Sequence, residues 1–277
     1  MTKNLFKVFF ALSFTFISVC YSIIIPTSTL ADFEKQVGEY DQDTLIIFDV
    51  DLTLMTPVDP LLRSKGLDYI KAFLQAKHPE MLTTERAKYD KLFTLCLKER
   101  KIQPTEEFLP ELISRLQVKG IKVIALTAMY WGNIGIFSAI EDWRIEELNG
   151  LGYDFSNSYA LPAAILAVPE SAYSPLYKEG IIFTGKVPKG IALKTFIEHS
   201  GWRPKKVIFI DDTLKFVESV ENEMAACGIE TVSLHYLAAE YTPGEFSEEI
   251  AELQLNTILN DEVYIPHHEA LDLLRKE

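Results

Sequence analysis

The sequence predicts an α/β domain with a mostly parallel, Rossmann-like sheet. Leu45-Ile46-Ile47-Phe48 is an unbroken apolar run that leads into Asp49-Val50-Asp51-Leu52-Thr53. A second run, Val207-Ile208-Phe209-Ile210, ends in Asp211-Asp212. Around these runs, apolar stretches alternate with segments of helical period, the order expected of strands joined by right-handed crossovers. A strand apolar at every position is buried on both faces, as in a parallel sheet covered by helices. Acids at the carboxyl ends of such strands stand where open α/β sheets place their ligands.

Each element follows from local pattern. Asp32 to Tyr40 reads as a short polar helical lead-in, and Leu45–Phe48 as the first strand. After Pro57 and Pro60, residues 61–76 and 83–97 carry apolar side chains at helical spacing. They form a small helical insertion, assigned to residues 55–103. Thr105, followed by Glu106-Glu107, has the chemistry of an N-cap for a helix reaching Leu116. Lys119-Gly120 ends it, and Ile121–Leu126 is the second strand. Asn133 to Leu148 reads as an amphipathic helix. Residues 129–185 form an irregular insertion in which 163–168 and 180–184 are strand candidates, read as a β-hairpin flap before Lys189. Lys189–His199 is helix, Val207–Ile210 strand, Leu214–Ala226 helix and Glu230–Leu234 strand. Residues 245–277 form a helical tail that packs as a cover.

The first 31 residues are set apart as a leader. Lys3 and Lys7 precede an uncharged stretch of 18 residues from Val8 to Ile25, and Thr29-Leu30-Ala31 offers small residues before a cut ahead of Asp32. This is the layout of a secretory signal peptide. The length of the apolar run leaves an uncleaved membrane anchor as the alternative. Residues 32–277 then form a single domain that is exported, whether periplasmic or secreted. Cys96 and Cys227 lie too far apart in sequence for a disulfide scaffold. The net charge of -13, or -15 without the two leading lysines, disfavours nucleic acid and anionic membrane as partners. Membrane contact is expected only through an uncleaved N-terminus.

Asp49, Asp51, Asp211 and Asp212 bring four carboxylates from two strand ends into one small volume. Like charges so close require a cation among them. Oxygen donors without a Cys/His cluster point to Mg²⁺ rather than zinc. A carboxylate can attack phosphorus because the acyl phosphate formed is labile to water, and a second carboxyl two residues on can serve as acid and then base. Thr127 puts a hydroxyl at the end of a neighbouring strand. Lys189, after Pro188, sits at a helix start where backbone N–H groups also face an anion.

Asp49-Val50-Asp51-Leu52-Thr53, Leu126-Thr127-Ala128, Lys189-Gly190-Ile191-Ala192-Leu193 and Asp211-Asp212 resemble, in order, the four motifs of the haloacid dehalogenase-like (HAD) superfamily. The two-aspartate first motif resembles its phosphatase and phosphotransferase branch. The match covers Thr44 to His235. More narrowly, the chain resembles a group of bacterial exported HAD-like proteins. The resemblance implies that Asp49 is nucleophile and Mg²⁺ ligand. Asp51 would be general acid/base and give its backbone carbonyl to the metal, and Thr53 would brace the turn. Thr127 would bond a phosphoryl oxygen, and Lys189 would neutralise the transferring group. Asp211 would bind Mg²⁺ directly and Asp212 through water. Lys186 competes with Lys189, but Gly190 and Leu193 complete the motif's helix opening after Lys189.

The implied activity is Mg²⁺-dependent phosphomonoester hydrolysis on a small-molecule ester or a phosphoprotein. A phosphotransferase of the same superfamily, and a non-catalytic exported binding or effector protein on the same scaffold, are the alternatives. His267-His268 read as solvated tail residues rather than metal ligands. Met129-Tyr130-Trp131, Tyr173, Tyr177 and Phe183 fit equally a site entrance or packing.

Overall fold

Strand β2, Thr44–Phe48, is buried at every position because helices cover both faces of its sheet. Ile46 and Phe48 enter one core layer, Leu45 and Ile47 the other, following the two-residue repeat of a strand. The structure, a computed structural model, describes residues 22–276. Beside β2 lie β5, Lys122–Thr127, and β9, Lys206–Asp211, both parallel to it. Outside β9 comes β10, Glu230–Tyr236, and then β1, Ser22–Thr27, at the sheet edge. Outside β5 come β8, Ile181–Phe183, β7, Leu176–Lys178, and β6, Ala164–Ile165. The order is therefore β1-β10-β9-β2-β5-β8-β7-β6, parallel from β1 to β8 and antiparallel over the last two pairings. The chain leaves β2 towards β5 on one side and later returns to β9 on the other. The crevice between those directions is the topological switch point.

Helices α1, Phe33–Val37, α4, Leu109–Val118, and α5, Ile140–Gly150, cover one face. Helices α6, Lys189–Ser200, and α7, Leu214–Ala226, cover the other. The α/β, mostly parallel architecture expected from the apolar runs is present, with all four main strands within two residues of their expected bounds.

The insertion after β2 is more than helical. A two-stranded antiparallel stalk, β3 (Met55–Pro57) and β4 (Ile102–Pro104), carries α2 (Ser64–Lys77) and α3 (Arg86–Glu99) above the sheet. The tail folds as α8, Glu248–Asp261, and α9, His267–Leu274. Leu255 and Ile258 of α8 pack with Phe73, Leu74, Leu92 and Cys96, so insertion and tail share one apolar core. Together they make a cap.

Four expectations need correction. First, residues 22–31, expected to lie apart from the domain, pack within it. β1 pairs along its length with β10, Leu30 is 1% exposed, and the Glu106 carboxylate accepts from Thr29 Oγ1 and Leu30 N. The boundary at 31/32 thus cuts through the domain; residues 1–21, the rest of the proposed leader, lie outside the described residues. Second, Thr105 caps no helix: α4 begins only at Leu109, the Thr105 N–H donates to Leu54 O, and Glu106 is occupied by Thr29, Leu30 and Tyr236. Third, the helix expected from Asn133 begins at Ile140. Gly132 and Gly135 hold positive φ angles, and Gly135 lies so close to Thr94 and Asp90 that no Cβ would fit. Fourth, 163–168 and 180–184 do not pair as a flap. β8 turns back on β7 through Glu179-Gly180, both at positive φ as a two-residue hairpin turn requires, and joins the main sheet beside β5.

Candidate active site

The first acidic turn is built by its backbone. Val50 O accepts from the N–H groups of Thr53, Leu54 and Met55, which curls the chain directly beyond β2. Leu52 closes the turn at a φ of 66°, a region that side chains with a Cβ seldom occupy. Asp49 stays anchored to the sheet through its N–H to Ile210 O at 2.8 Å, so the ends of β2 and β9 are fastened together. Thr53, fully buried, accepts from Asp212 N at 3.1 Å and ties the turn to the second acidic pair. That is the bracing expected of it.

Lys189 opens α6 after Pro188 and is 1% exposed. Its Nζ donates to Asp49 Oδ1 and, at 2.6 Å, to Asp211 Oδ2. Asp211 Oδ1 accepts from Thr213 N at 2.8 Å. Gly190 allows this approach, because a Cβ there would fall 2.1 Å from Ser219 O on α7. Lys186, by contrast, is exposed and donates to Tyr173 Oη. Between the two candidates, Lys189 is the lysine at the acids.

Carboxylate oxygens of Asp49, Asp211 and Asp212 lie within 4.8 Å of one another. One ammonium stands against three carboxylates in a buried site, so every group there is driven to hold protons. Burial and the neighbouring Asp211 and Asp212 push Asp49 well above the usual carboxylate range, although Lys189 opposes them. Burial likewise raises Asp211 against the pull of Lys189. Asp212, partly buried and beside Asp211, is pushed up to about 7 by desolvation and by that neighbour. Burial works against the Lys189 charge, but Asp211 and Asp49 outweigh it and hold the ammonium above its usual range. The set contains only oxygen donors and excess negative charge, which fits a hard divalent cation such as Mg²⁺.

Above the acids lies a cavity of about 400 Å³. Asp49, Asp51, Thr127 and Asp212 reach it from the core, and α2 and α3 of the cap form its opposite wall. Thr127 Oγ1 accepts from Met129 N at 3.1 Å, which leaves its proton free to donate elsewhere. Met129 and Tyr130 line the cavity, whereas Trp131 Nε1 donates to Ser174 O. Tyr177 and Phe183 are core residues, and Tyr173 is exposed. The imidazole of His268 is exposed and His267 begins α9, both remote from the acids in the tail.

A family model described as "Protein of unknown function (DUF2608)" matches residues 26–264. The chain belongs to the DUF2608 family. The matched span begins inside β1 and takes in every residue of the acidic site, the insertion and α8 of the tail, ending before α9. A Rickettsia prowazekii protein described as uncharacterized is 26% identical over 92% of this chain and 93% of its own length. A Chlamydia pneumoniae protein named "Putative outer membrane protein" is 24% identical over 88% of this chain and 90% of its own. One of the same name from Chlamydia trachomatis is 22% identical, over 89% of each.

The DUF2608 chain also places residues at the site that its sequence does not advertise. Asp51, with its side chain 45% exposed, is not part of the three-acid group; it faces Arg144 at 3.1 Å and Arg100 at 3.8 Å. Both arginines are almost fully buried and share Glu147, at 2.8 Å from Arg144 and 3.1 Å from Arg100. Arg100 comes from the end of the insertion and Arg144 and Glu147 from α5. The one available signal was the Arg144/Glu147 spacing of three on a helix otherwise facing the core.

Proposed function

We propose that this DUF2608 protein is a HAD-like, Mg²⁺-dependent phosphomonoesterase. The observation that carries the reading is Lys189 clamped between Asp49 and Asp211 beside Asp212, beneath a cavity that Asp51 and Thr127 also reach. A structural ion pair does not require three acids for one lysine, and burying such an excess of charge is costly without a cation. The order of the four motifs supports the same reading.

The chain's residues divide the work as follows. Lys189 orients Asp49 through Oδ1, leaving Oδ2 without a hydrogen-bond partner among the described residues. Oδ2 attacks phosphorus as the ester P–O bond breaks, and Asp51 gives its proton to the departing alcohol oxygen. Water then attacks phosphorus, Asp51 takes the water's proton, and the aspartyl–phosphate bond breaks to release Asp49 and inorganic phosphate. Thr127 donates to a phosphoryl oxygen, and Lys189 offsets charge on the transferring group. Held by Asp49, Asp211 and Asp212, Mg²⁺ would supply further charge neutralisation there.

Export is part of the proposal. With Ser22–Ile25 assigned to β1, the uncharged leader shortens to Val8–Tyr21, 14 residues, which suits a signal peptide better than a membrane span. Ser18-Val19-Cys20 places small residues before Tyr21 as a cleavage site. The chlamydial relatives' names support an envelope or secreted destination, periplasmic or beyond. No helix among the described residues is long and apolar enough to cross a membrane.

The test is hydrolysis of para-nitrophenyl phosphate by the full chain with Mg²⁺ and with chelator. Turnover that needs Mg²⁺, disappears in Asp49→Asn and passes through a hydroxylamine-sensitive acyl phosphate is expected. Wild-type rates in Asp49→Asn, or under thorough chelation, would remove the mechanism.

A further inference from the structure

The cavity wall identifies a class of substrate. Leu62 and Leu67 of the cap's first arm, Phe93 and Leu97 of α3, Ile134 of the facing loop and Ile140 at the start of α5 surround the space above the acids. Tyr89 and Phe93 stack with ring centroids 5.7 Å apart and planes 8° from parallel, giving that wall a flat aromatic surface. Leu67 and Tyr130 remain 37% and 38% exposed there and extend the apolar lining towards the mouth of the cavity.

Most polar side chains in the wall are already engaged. Arg86 binds Asp90 at 2.8 Å. Thr94 Oγ1 donates to Asp90 O and accepts from Ile136 N. Arg100 and Arg144 are held by Glu147 and Asp51. Among the described residues, the free polar groups of the cap-side wall lie together at the start of α3: the outer N–H groups of Arg86, Asp90 Oδ2 and the Tyr89 hydroxyl. A sugar carries a ring of hydroxyls, each costly to desolvate without a partner, and polar groups confined to one end of α3 cannot match them all round. A hydrocarbon chain or ring meets the wall without that loss. At about 400 Å³ the space fits a small molecule rather than a folded phosphoprotein.

We infer that the site selects phosphomonoesters of apolar alcohols or phenols over those of sugars and other polyols. This rests on the phosphatase reading for the reaction, while the wall alone decides the leaving group.

Two measurements on the Mg²⁺-loaded full chain separate the two. The first compares kcat/KM for ethyl, butyl and hexyl phosphate with that for glucose 6-phosphate. The second titrates the matching alkyl phosphonates, which cannot be hydrolysed at phosphorus–carbon, by calorimetry. Both kcat/KM and phosphonate affinity should climb about three- to fourfold per added methylene, and glucose 6-phosphate should trail hexyl phosphate. Leu67→Gln, at a half-exposed position tolerant of change, and Phe93→Gln should flatten that climb, while Phe93→Leu retains most of it. Phosphonate binding that is absent or independent of chain length, or glucose 6-phosphate turned over as well as hexyl phosphate, overturns the inference. If no ester is hydrolysed while phosphonate affinity still climbs, the reaction is wrong and the apolar ligand class stands.

Discussion

Arg144 reaches the Asp51 carboxylate at 3.1 Å with its own side chain 2% exposed. The contact joins the first acidic turn to α5, and Glu147 completes it from the same helix at 2.8 Å. Asp51 needs a fixed direction if it is to meet the leaving oxygen, because misplacement by an ångström is expensive in rate. Arg144 is in this sense a positioning residue. Arg144→Met should cost about 3 kcal/mol of stability, since it strands the buried Glu147 with Arg100 alone. It should lower kcat more than it raises KM. Arg144→Met/Glu147→Met should recover part of the stability but not the rate. Urea denaturation and steady-state kinetics on both variants provide the check, and a double variant no more stable than the single one would contradict this coupling.

Asp212 gives the metal-free protein a pH dependence. Its folded-state pKa is raised from 3.8 to about 7 by burial and by Asp211. A raised carboxyl stabilises the fold fully below its unfolded pKa, and that contribution is lost as pH climbs through the folded value. Chelated wild-type protein should therefore lose stability between about pH 4 and about pH 7 relative to Asp212→Asn, whose slope over that window is flatter. Mg²⁺ works in the opposite sense, since its ligands must be ionised, and should raise the melting temperature most at the alkaline end. Thermal melts with chelator and with Mg²⁺ across the window measure both. Parallel curves for wild type and Asp212→Asn would exclude Asp212 as the titrating group.

Residues 22–31 should behave as domain rather than leader. A chain starting at Asp32 loses β1, the buried Leu30 and both Glu106 contacts. Burial of one leucine alone is worth about 2 kcal/mol, and the exposed edge of β10 adds to the loss. That is a large share of an ordinary domain's stability. The truncated chain should aggregate or melt far below one starting at Tyr21, as circular dichroism would show. N-terminal sequencing of exported protein should begin at Tyr21. A mature terminus at Asp32 on a stable protein would contradict the role of β1.

The core was legible because its strands are apolar at every position, and a run such as Val207-Ile208-Phe209-Ile210 followed by two acids has few other readings. The same clarity located Asp49, Asp211 and Lys189. What the sequence hid depends on contacts distant along the chain. β1 is apolar like a signal peptide, and only its partner β10 distinguishes a sheet edge from a leader. Thr105-Glu106-Glu107 has the composition of a helix start, but Thr29, Leu30 and Tyr236 claim Glu106. The β7–β8 turn was signalled by Glu179-Gly180, yet Glu179 at positive φ is uncommon enough to obscure it. Arg100 and Arg144 lie 44 positions apart and meet at Glu147 only after folding.

Asp59 should couple the tail to the cap. It is 5% exposed and accepts four hydrogen bonds. Leu61 N binds Oδ1 at 2.9 Å, while Gln254 Nε2, Tyr264 Oη and His267 N converge on Oδ2 at 2.7, 2.6 and 2.9 Å. One carboxylate thus fastens the turn before α2 to α8, to the α8–α9 loop and to the start of α9. Asp59→Ala leaves those donors buried without an acceptor and should cost about 3 kcal/mol. Asp59→Asn should also destabilise, because its amide N–H groups would face donors rather than acceptors. Tyr264→Phe, which leaves three donors in place, should cost about 1 kcal/mol. Amide exchange should speed up in α9 first in every variant. Because α8 packs Leu255 and Ile258 against the helices whose other residues wall the cavity, Asp59→Asn should also raise KM with little change in kcat. Exchange in α9 at the wild-type rate in Asp59→Ala would show that the tail is held by apolar packing alone.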